Sequence, residues 1–524
     1  MRKLTVIQWV LIIAIALGII LRLIGLSNEY LFDDEQPSMI AEMKFHRQSF
    51  YDGAMYFQEH PPLGKWLLGI PSAFIDSDYK TLTFLGPNTF VLKYLTYQSL
   101  AKNFPYIRLV NAIIGILAIL FTFLIIKELF GLNAGLWSAS LMSLSADFIG
   151  FSRHDHLLKI VAVAFAIMTI YFYIKYLKSK DNFRFIYLIL TLVFFTFCIG
   201  SRNFDPLFLI PTLVFSQFII NRGQKNLIEN IVFVLLLAFS FYLVFYYFYP
   251  PEAKEFARFH LEVNSPFDII PGLGFIGVVK NMLLRNSYAY ALASVSIIVL
   301  IVNEIIRFGK HKWNFKDLGD NSFIKNLFTA DIKAVVIIFF LVTFIGLSIM
   351  NLRFGGSSTY NIMLYGSTFL IAGPVIDRLL NKKILLYILL LGIAVTTVQF
   401  MMDFPYGVWR YSNFGVREVH YPTKFDKDMS DAILIELNNQ GNPLVDTDYL
   451  NTLLFYEGEK IPLVAASDSR CNKDYFDKLK ENKAYILIRS GDINNQFICK
   501  LYGESDMRLV KSFGENGAAL YRFG

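Results

Sequence analysis

The sequence predicts a polytopic α-helical membrane protein of about eleven transmembrane helices, followed by a small C-terminal α/β domain. Three observations carry that prediction. Of 524 residues, 55% are hydrophobic and only 17% are charged, with a mean hydropathy of +0.46, so the polar residues cannot cover a water-facing surface. Apolar runs of roughly 17 to 22 residues recur along the chain, the length needed to cross a hydrocarbon core. The gaps between these runs alternate between strongly basic and not, as the two sides of a membrane require.

The first span runs from Thr5 to Leu26 behind Met1-Arg2-Lys3. It resembles a signal peptide, but no small-residue cleavage site follows and the apolar stretch is long, so it reads as a retained span. Later spans start near Ile107, Asn133, Leu157, Phe185, Pro206, Leu227, Tyr288, Ala334, Tyr360 and Ile384. Ser and Asp interrupt the Asn133 segment and Pro211 breaks the Pro206 segment, yet omitting either one reverses the sidedness of every basic loop after it. With the N-terminus in the cytoplasm, the inward loops carry Lys127, then Lys175 to Arg184, Arg222 and Lys225, Arg307 to Lys333, and Arg378 to Lys383. The expected location is therefore the cell membrane, multi-pass, with the C-terminal domain extracytoplasmic. The formal charge of +7 is spent on these loops. No compact basic stripe with interleaved aromatics appears, so nucleic acid is not an expected partner.

The first outer loop, residues 27–106, is too long for a connector and should carry its own helices. Pro37 suits the first turn of a helix that places Met39, Ile40 and Met43 on one face and Glu42, His46 and Arg47 elsewhere, an interfacial amphipathic pattern. Leu63 to Ile75 is apolar but too short to span, and Thr89 to Lys102 repeats the amphipathic pattern. Residues 1–402 form the transmembrane module on this reading, and residues 403–524 the soluble domain. In that domain, Ala432 to Glu436, Pro443 to Val445, Ala484 to Ile488 and Ala519 to Tyr521 read as strands and Asp474 to Glu481 as a helix. Cys471 and Cys499 are compatible with one disulfide or with two free thiols.

One outer face collects the unusual polar residues: Phe32-Asp33-Asp34-Glu35, His60-Pro61-Pro62-Leu63-Gly64-Lys65, Ser152-Arg153-His154-Asp155-His156, Ser201-Arg202-Asn203 and Asn351-Leu352-Arg353. Three adjacent carboxylates beside a bilayer are costly unless they bind or react with something. Any single Arg among these segments could be an interfacial anchor. Their common side is what points to a site.

In order along the chain, Leu21-Arg22-Leu23, the Phe-Asp-Asp-Glu string, the His-Pro-Pro-Leu-Gly-Lys string, Arg108-Leu109-Val110-Asn111-Ala112-Ile113-Ile114-Gly115, Lys127-Glu128-Leu129-Phe130-Gly131 and Ser152-Arg153 resemble the protein O-mannosyltransferases and the related aminoarabinose transferases. The resemblance covers about the first 200 residues. These are GT-C membrane glycosyltransferases, and the resemblance implies transfer of a sugar, a mannose-like hexose, from a polyprenyl- or dolichyl-phosphate donor to a protein or lipid acceptor outside the cytoplasm. It implies Asp34 as the catalytic base, with Glu35 orienting it or pairing with a cation and Asp33 as a rival. It also implies Arg153, Arg202 and Arg353 as ligands of the departing phosphate, with Lys65 a further substrate contact and His60 either a sugar or acceptor contact or a brace of the loop through a backbone carbonyl. The chain departs from the family's pattern after Ser152-Arg153, where His154-Asp155-His156 and then Lys159 follow, and Lys159 is a further candidate phosphate contact. Such chemistry wants a base for the acceptor hydroxyl and forked cations for the leaving group. No cofactor is required on this reading. The lesser alternative is a divalent metal held by His154, Asp155 and His156 with Asp33 or Asp34, although adjacent His-Asp-His is a poor ligand spacing. The alternative function is a flippase, polymerase or transporter of lipid-linked saccharides, which would use the same cations without the base.

Overall fold

The computed structural model describes residues 4–26, 35–47, 49–50, 53, 61–75, 81–82, 94–95, 97–153, 158–180, 182–202, 205–220, 227–248, 288–310, 331–354, 362–379, 382–403 and 424–438, with 445–447, 463–464, 477, 480–481, 483–489, 507–513 and 518–523 near the C-terminus. Helices α1 (Val6–Leu23), α2 (Glu35–Arg47), α3 (Pro62–Leu68), α4 (Tyr97–Phe130), α5 (Leu132–Leu144), α6 (Ala146–Arg153), α7 (Lys159–Lys178) and α8 (Phe183–Ile199) build the N-terminal half. Then follow α9 (Leu209–Ile220), α10 (Leu227–Tyr242) with a π-helical continuation (Leu243–Phe248), α11 (Tyr288–Lys310), α12 (Ala334–Phe354), α13 (Ile362–Leu379), α14 (Lys382–Asp403) and α15 (Lys424–Asn438). Each apolar segment picked out by hydropathy contains a helix. Among the described residues, four helical stretches are long and apolar enough to cross a bilayer by themselves: Val6–Leu23, Asn103–Phe130, Lys159–Lys178 and Leu227–Phe248.

The weak Asn133 segment turns out to be two helices, α5 and α6, separated at Ser145. Every residue of α5 from Ala134 to Leu144 is buried, with α1, α4 and α13 packed around it. A helix surrounded by other helices has no need of a uniformly apolar surface, and small residues let its neighbours approach closely. Ser140 and Ser143 accordingly donate to the α1 carbonyls of Leu11 (3.0 Å) and Ile15 (3.0 Å). A Cβ at Gly18 of α1 would stand 2.7 Å from the Ser143 carbonyl carbon, so only glycine fits there. Thr396 of α14 donates to Leu144 O at 3.2 Å from another side.

Three local expectations are corrected. Helix α2 is not an interfacial amphipathic helix: Ser38, Met39, Ala41, Glu42, Met43, Lys44 and Phe45 are all buried, because α3 and the 3-10 turn Ile70–Ala73 cover the face that was to meet water. The Thr89 to Lys102 helix is replaced by β2 (Tyr94–Leu95) paired antiparallel with β1 (Thr81–Leu82), and the helix that follows begins at Tyr97 and continues through Pro105 to Phe130. The strand expected at Ala432 to Glu436 lies inside α15. There Met429, Ile433 and Leu437 are buried at a spacing of four while Ile435 is 65% exposed, which is a helical period rather than an alternating one.

Beyond α15, five strands form one sheet in the order β4-β3-β5-β7-β6, with β3 (Val445–Thr447), β4 (Leu463–Val464), β5 (Tyr485–Arg489), β6 (Met507–Ser512) and β7 (Ala518–Phe523). β3 runs parallel to β4 and β5, whereas β7 is antiparallel to β5 and β6. Cys471 and Cys499 lie outside the described residues. Cys198 is a buried thiol directed at Ala162 O, 3.3 Å away.

Candidate active site

Arg22 sits in the last turn of α1 with no exposure to solvent. Its Nη1 donates to Gly18 O (2.7 Å) and Ser143 O (2.8 Å), its Nη2 to Met142 O (3.2 Å), and its Nε to Ser152 Oγ (3.2 Å). Met142 and Ser143 lie in the last turn of α5, where carbonyls have no partner within the helix. The guanidinium therefore serves as the cap of a buried helix end. Arg153, at the end of α6 and equally buried, donates back to Leu21 O of α1. Two neighbouring residues of α1 thus exchange hydrogen bonds with two neighbouring residues of α6.

Helix α4 braces this exchange from a third direction. Asn111 Nδ2 donates to Phe151 O (2.8 Å) and Ser152 O (3.3 Å), and Arg108 donates to Leu26 O (3.0 Å) while lying 4.8 Å above the Phe104 ring. A Cβ at Gly115 would stand 2.8 Å from Ser152 Cβ. Positions 108, 111 and 115 are three and four apart and so share one face of α4. The Arg108 to Gly115 string is thus the contact surface of α4 for α1 and α6.

The His-Pro-Pro-Leu-Gly-Lys string is seated by backbone contacts. Pro62 opens α3, where its missing N–H is not needed. The next two amides, Leu63 N and Gly64 N, donate to Gly200 O at 2.9 and 3.3 Å, so the end of α8 caps the start of α3. A Cβ on Gly64 would come 2.9 Å from Ser201 Cβ. Lys65 and Arg202 each follow this contact by one residue, and both are buried, at 0% and 2% exposure. On its other side α3 meets α2, where a Cβ at Gly69 would fall 2.7 Å from the Glu42 carbonyl carbon. His46 donates a ring N–H to Trp66 O at 2.7 Å. Ser38 Oγ donates to the Glu42 carboxylate at 3.1 Å.

Lys159 begins α7, one turn before the Ala162 carbonyl that receives Cys198 of α8, which places it beside the Gly200–Arg202 junction. It is 3% exposed, with Nζ 4.8 Å from the Phe151 ring centroid. Arg22, Lys65, Arg108, Arg153, Lys159 and Arg202 therefore converge at the end of the bundle where α1, α6 and α8 finish and α3 and α7 begin. The buried acids among the described residues are Glu42 and Asp147. Two or more forked guanidinium groups gathered at a low-dielectric end suit phosphate.

Of the residues expected from sequence, Lys65, Arg153, Lys159 and Arg202 are brought together here. Arg353 lies in the last turn of α12, a helix packed on α9 and on the 3-10 turn Asp205–Phe208 that follows Arg202. Glu35 is the first residue of α2. Asp33, Asp34, His60, His154, Asp155 and His156 lie outside the described residues. No cluster of three metal-ligating side chains occurs among the described ones. Sequence reasoning gave no role in the site to Arg22, Arg108 and Asn111, and none to Ser152 although it stands in the outer-face Ser152-Arg153 string. The signal was present as an arginine inside an apolar span and as polar residues at helical spacing in α4.

Over its full length the chain superposes on ArnT from Cupriavidus metallidurans, a crystal structure bound to undecaprenyl phosphate, with a TM-score of 0.57 at 12% identity, covering 99% of this chain and 98% of that one. The fold is the GT-C fold. Residues 90–248, which contain the α4 face and the Ser152-Arg153 pair, match the family model of dolichyl-phosphate-mannose-protein mannosyltransferases. The GT-C bundle is also similar to the Archaeoglobus fulgidus oligosaccharyltransferase in complex with zinc and sulfate (TM-score 0.48, 14% identity, 92% of this chain and 68% of that one). It is similar over a shorter stretch to the Saccharomyces cerevisiae protein O-mannosyltransferase Pmt1-Pmt2 complex bound to the sugar donor (TM-score 0.33, 16% identity, 47% and 34%). The fold assignment rests on the ArnT superposition. No curated protein sequence matches the chain significantly.

Proposed function

We propose that this protein is an integral membrane glycosyltransferase that takes a sugar, a mannose-like hexose, from a polyprenyl- or dolichyl-phosphate donor and transfers it to a protein or lipid acceptor on the outer face of the membrane. The observation that carries this reading is the gathering of Arg22, Lys65, Arg108, Arg153, Lys159 and Arg202, all buried, at one end of a GT-C bundle. Arg153, Arg202 and Arg353, with Lys65 and Lys159, neutralise the phosphate as it departs. Asp34 takes the proton of the acceptor hydroxyl as its oxygen attacks the anomeric carbon, the bond from that carbon to the phosphate oxygen breaks, and polyprenyl phosphate leaves. Glu35 orients Asp34, Asp33 is its rival, and His60 contacts sugar or acceptor. No metal is needed for this sequence of events. The N-terminus is cytoplasmic, and residues 403–524 form the extracytoplasmic domain. A flippase, polymerase or transporter would use the same cations without needing the Asp33-Asp34-Glu35 run of carboxylates.

The test is to incubate the purified protein with radiolabelled polyprenyl-phosphate sugars and a membrane extract. Label passing to a macromolecule, and lost on Arg153→Ala, supports the proposal. Movement of intact donor across a vesicle bilayer without any transfer would replace it with the flippase reading.

A further inference from the structure

We infer that Arg22 and Ser152 are positioning residues for the leaving-group phosphate, acting through Arg153; this rests on the transferase reading above. Arg153 would have to hold its guanidinium at a fixed angle to two phosphate oxygens, and a misplacement of about an ångström is enough to spoil such a fork. Its own bond to Leu21 O ties the side chain to α1. The direction of that tie depends on how the end of α1 sits against the end of α6, and Arg22 sets this. Its Nε reaches Ser152 Oγ at 3.2 Å, while its two terminal nitrogens hold Gly18, Met142 and Ser143 carbonyls.

Ser152 can serve both of its partners at once. Its hydroxyl hydrogen goes to Phe148 O at 2.6 Å, which leaves its lone pairs for Arg22. Asn111 fixes the carbonyls of Phe151 and Ser152, and the bare Cα of Gly115 leaves room for the serine. The carbonyls of Phe148, Phe151 and Ser152 are thereby engaged. With four hydrogen bonds to protein atoms, the Arg22 guanidinium is engaged in holding the scaffold, which distinguishes its role from direct contact with phosphate.

The experiment compares binding of undecaprenyl phosphate with binding of undecaprenol, so that the ratio isolates recognition of the phosphate. Wild type should prefer the phosphate, and Arg153→Ala should abolish the preference. Ser152→Ala removes one oxygen and leaves all charges in place. It should lower the preference about tenfold with little change in undecaprenol affinity, while the melting temperature falls because the buried Arg22 Nε loses its acceptor. Arg22→Lys keeps the charge but not the fork, and should lose the preference as Ser152→Ala does. A preference unchanged in Ser152→Ala while Arg153→Ala abolishes it would overturn the positioning role alone. Full retention in Arg22→Lys would assign Arg22 a role by charge instead, and overturn it too. Absence of any preference in wild type would sink the transferase reading first.

Discussion

Arg22 and Ser152, 130 positions apart in the chain, are joined by a 3.2 Å hydrogen bond that runs opposite to the one Arg153 makes to Leu21 O. Each helix end supplies a donor to the other, so α1 and α6 cannot part without breaking both bonds. The junction is held from both sides at the place where the proposed phosphate ligand is mounted.

Arg22→Met should remove the cap of α5 and leave the Met142 and Ser143 carbonyls in a dry interior. We expect a loss of about 2–4 kcal/mol, at the high end for a single change because several bonds are lost together. Denaturant titration of the detergent-solubilised protein measures it. Stability within about 0.5 kcal/mol of wild type would mean that water reaches these carbonyls.

Gly69→Ala should be worse than Gly64→Ala. The new methyl at 69 meets the backbone of Glu42, which can move only with the whole of α2, whereas at 64 much of the contact is with the Ser201 side chain. A penalty of about 1–3 kcal/mol is expected for the first, with loss of transfer activity as α2 shifts. Melting curves of the two variants check the order, and equal melting temperatures would contradict it.

Asp34→Asn keeps the size of the side chain but removes the proton acceptor, so transfer should fall by roughly a hundredfold or more with donor binding retained. Asp33→Asn should fall less. Single-turnover rates with a radiolabelled donor separate the two, and the reverse order would shift the assignment of the base by one residue.

Transfer should survive a chelator such as EDTA, because fixed arginines supply the positive charge and Arg153 and Lys159 flank the His154-Asp155-His156 run, where they repel a cation. Assays with and without added Mn²⁺ or Mg²⁺ decide the matter. Loss in chelator, recovery with metal and no recovery in His156→Ala would move the chemistry to a metal site.

A tag after Gly524 should be open to protease in intact cells and one before Arg2 protected, as the alternating basic loops require. The opposite pattern would place the cation cluster in the cytoplasm and exclude the outer-face acceptor.

The sequence by itself determined the helical membrane class, since hydropathy is summed over segments as long as the bilayer is thick and does not depend on which helix touches which. It also marked Lys65, Arg153, Lys159 and Arg202 as unusual, because a cation beside an apolar run is conspicuous in one dimension. It could not say what Arg22 and Asn111 hold, since most of their partners are backbone carbonyls on other helices and any sequence offers those everywhere. Nor could it tell that α2 is covered on its polar side or that α5 is buried from Ala134 to Leu144. Whether a face is buried is decided by the neighbour that packs on it: here the glycine-led approaches of α1 to Ser143 and of α3 to Glu42. Those contacts exist only once the helices are assembled.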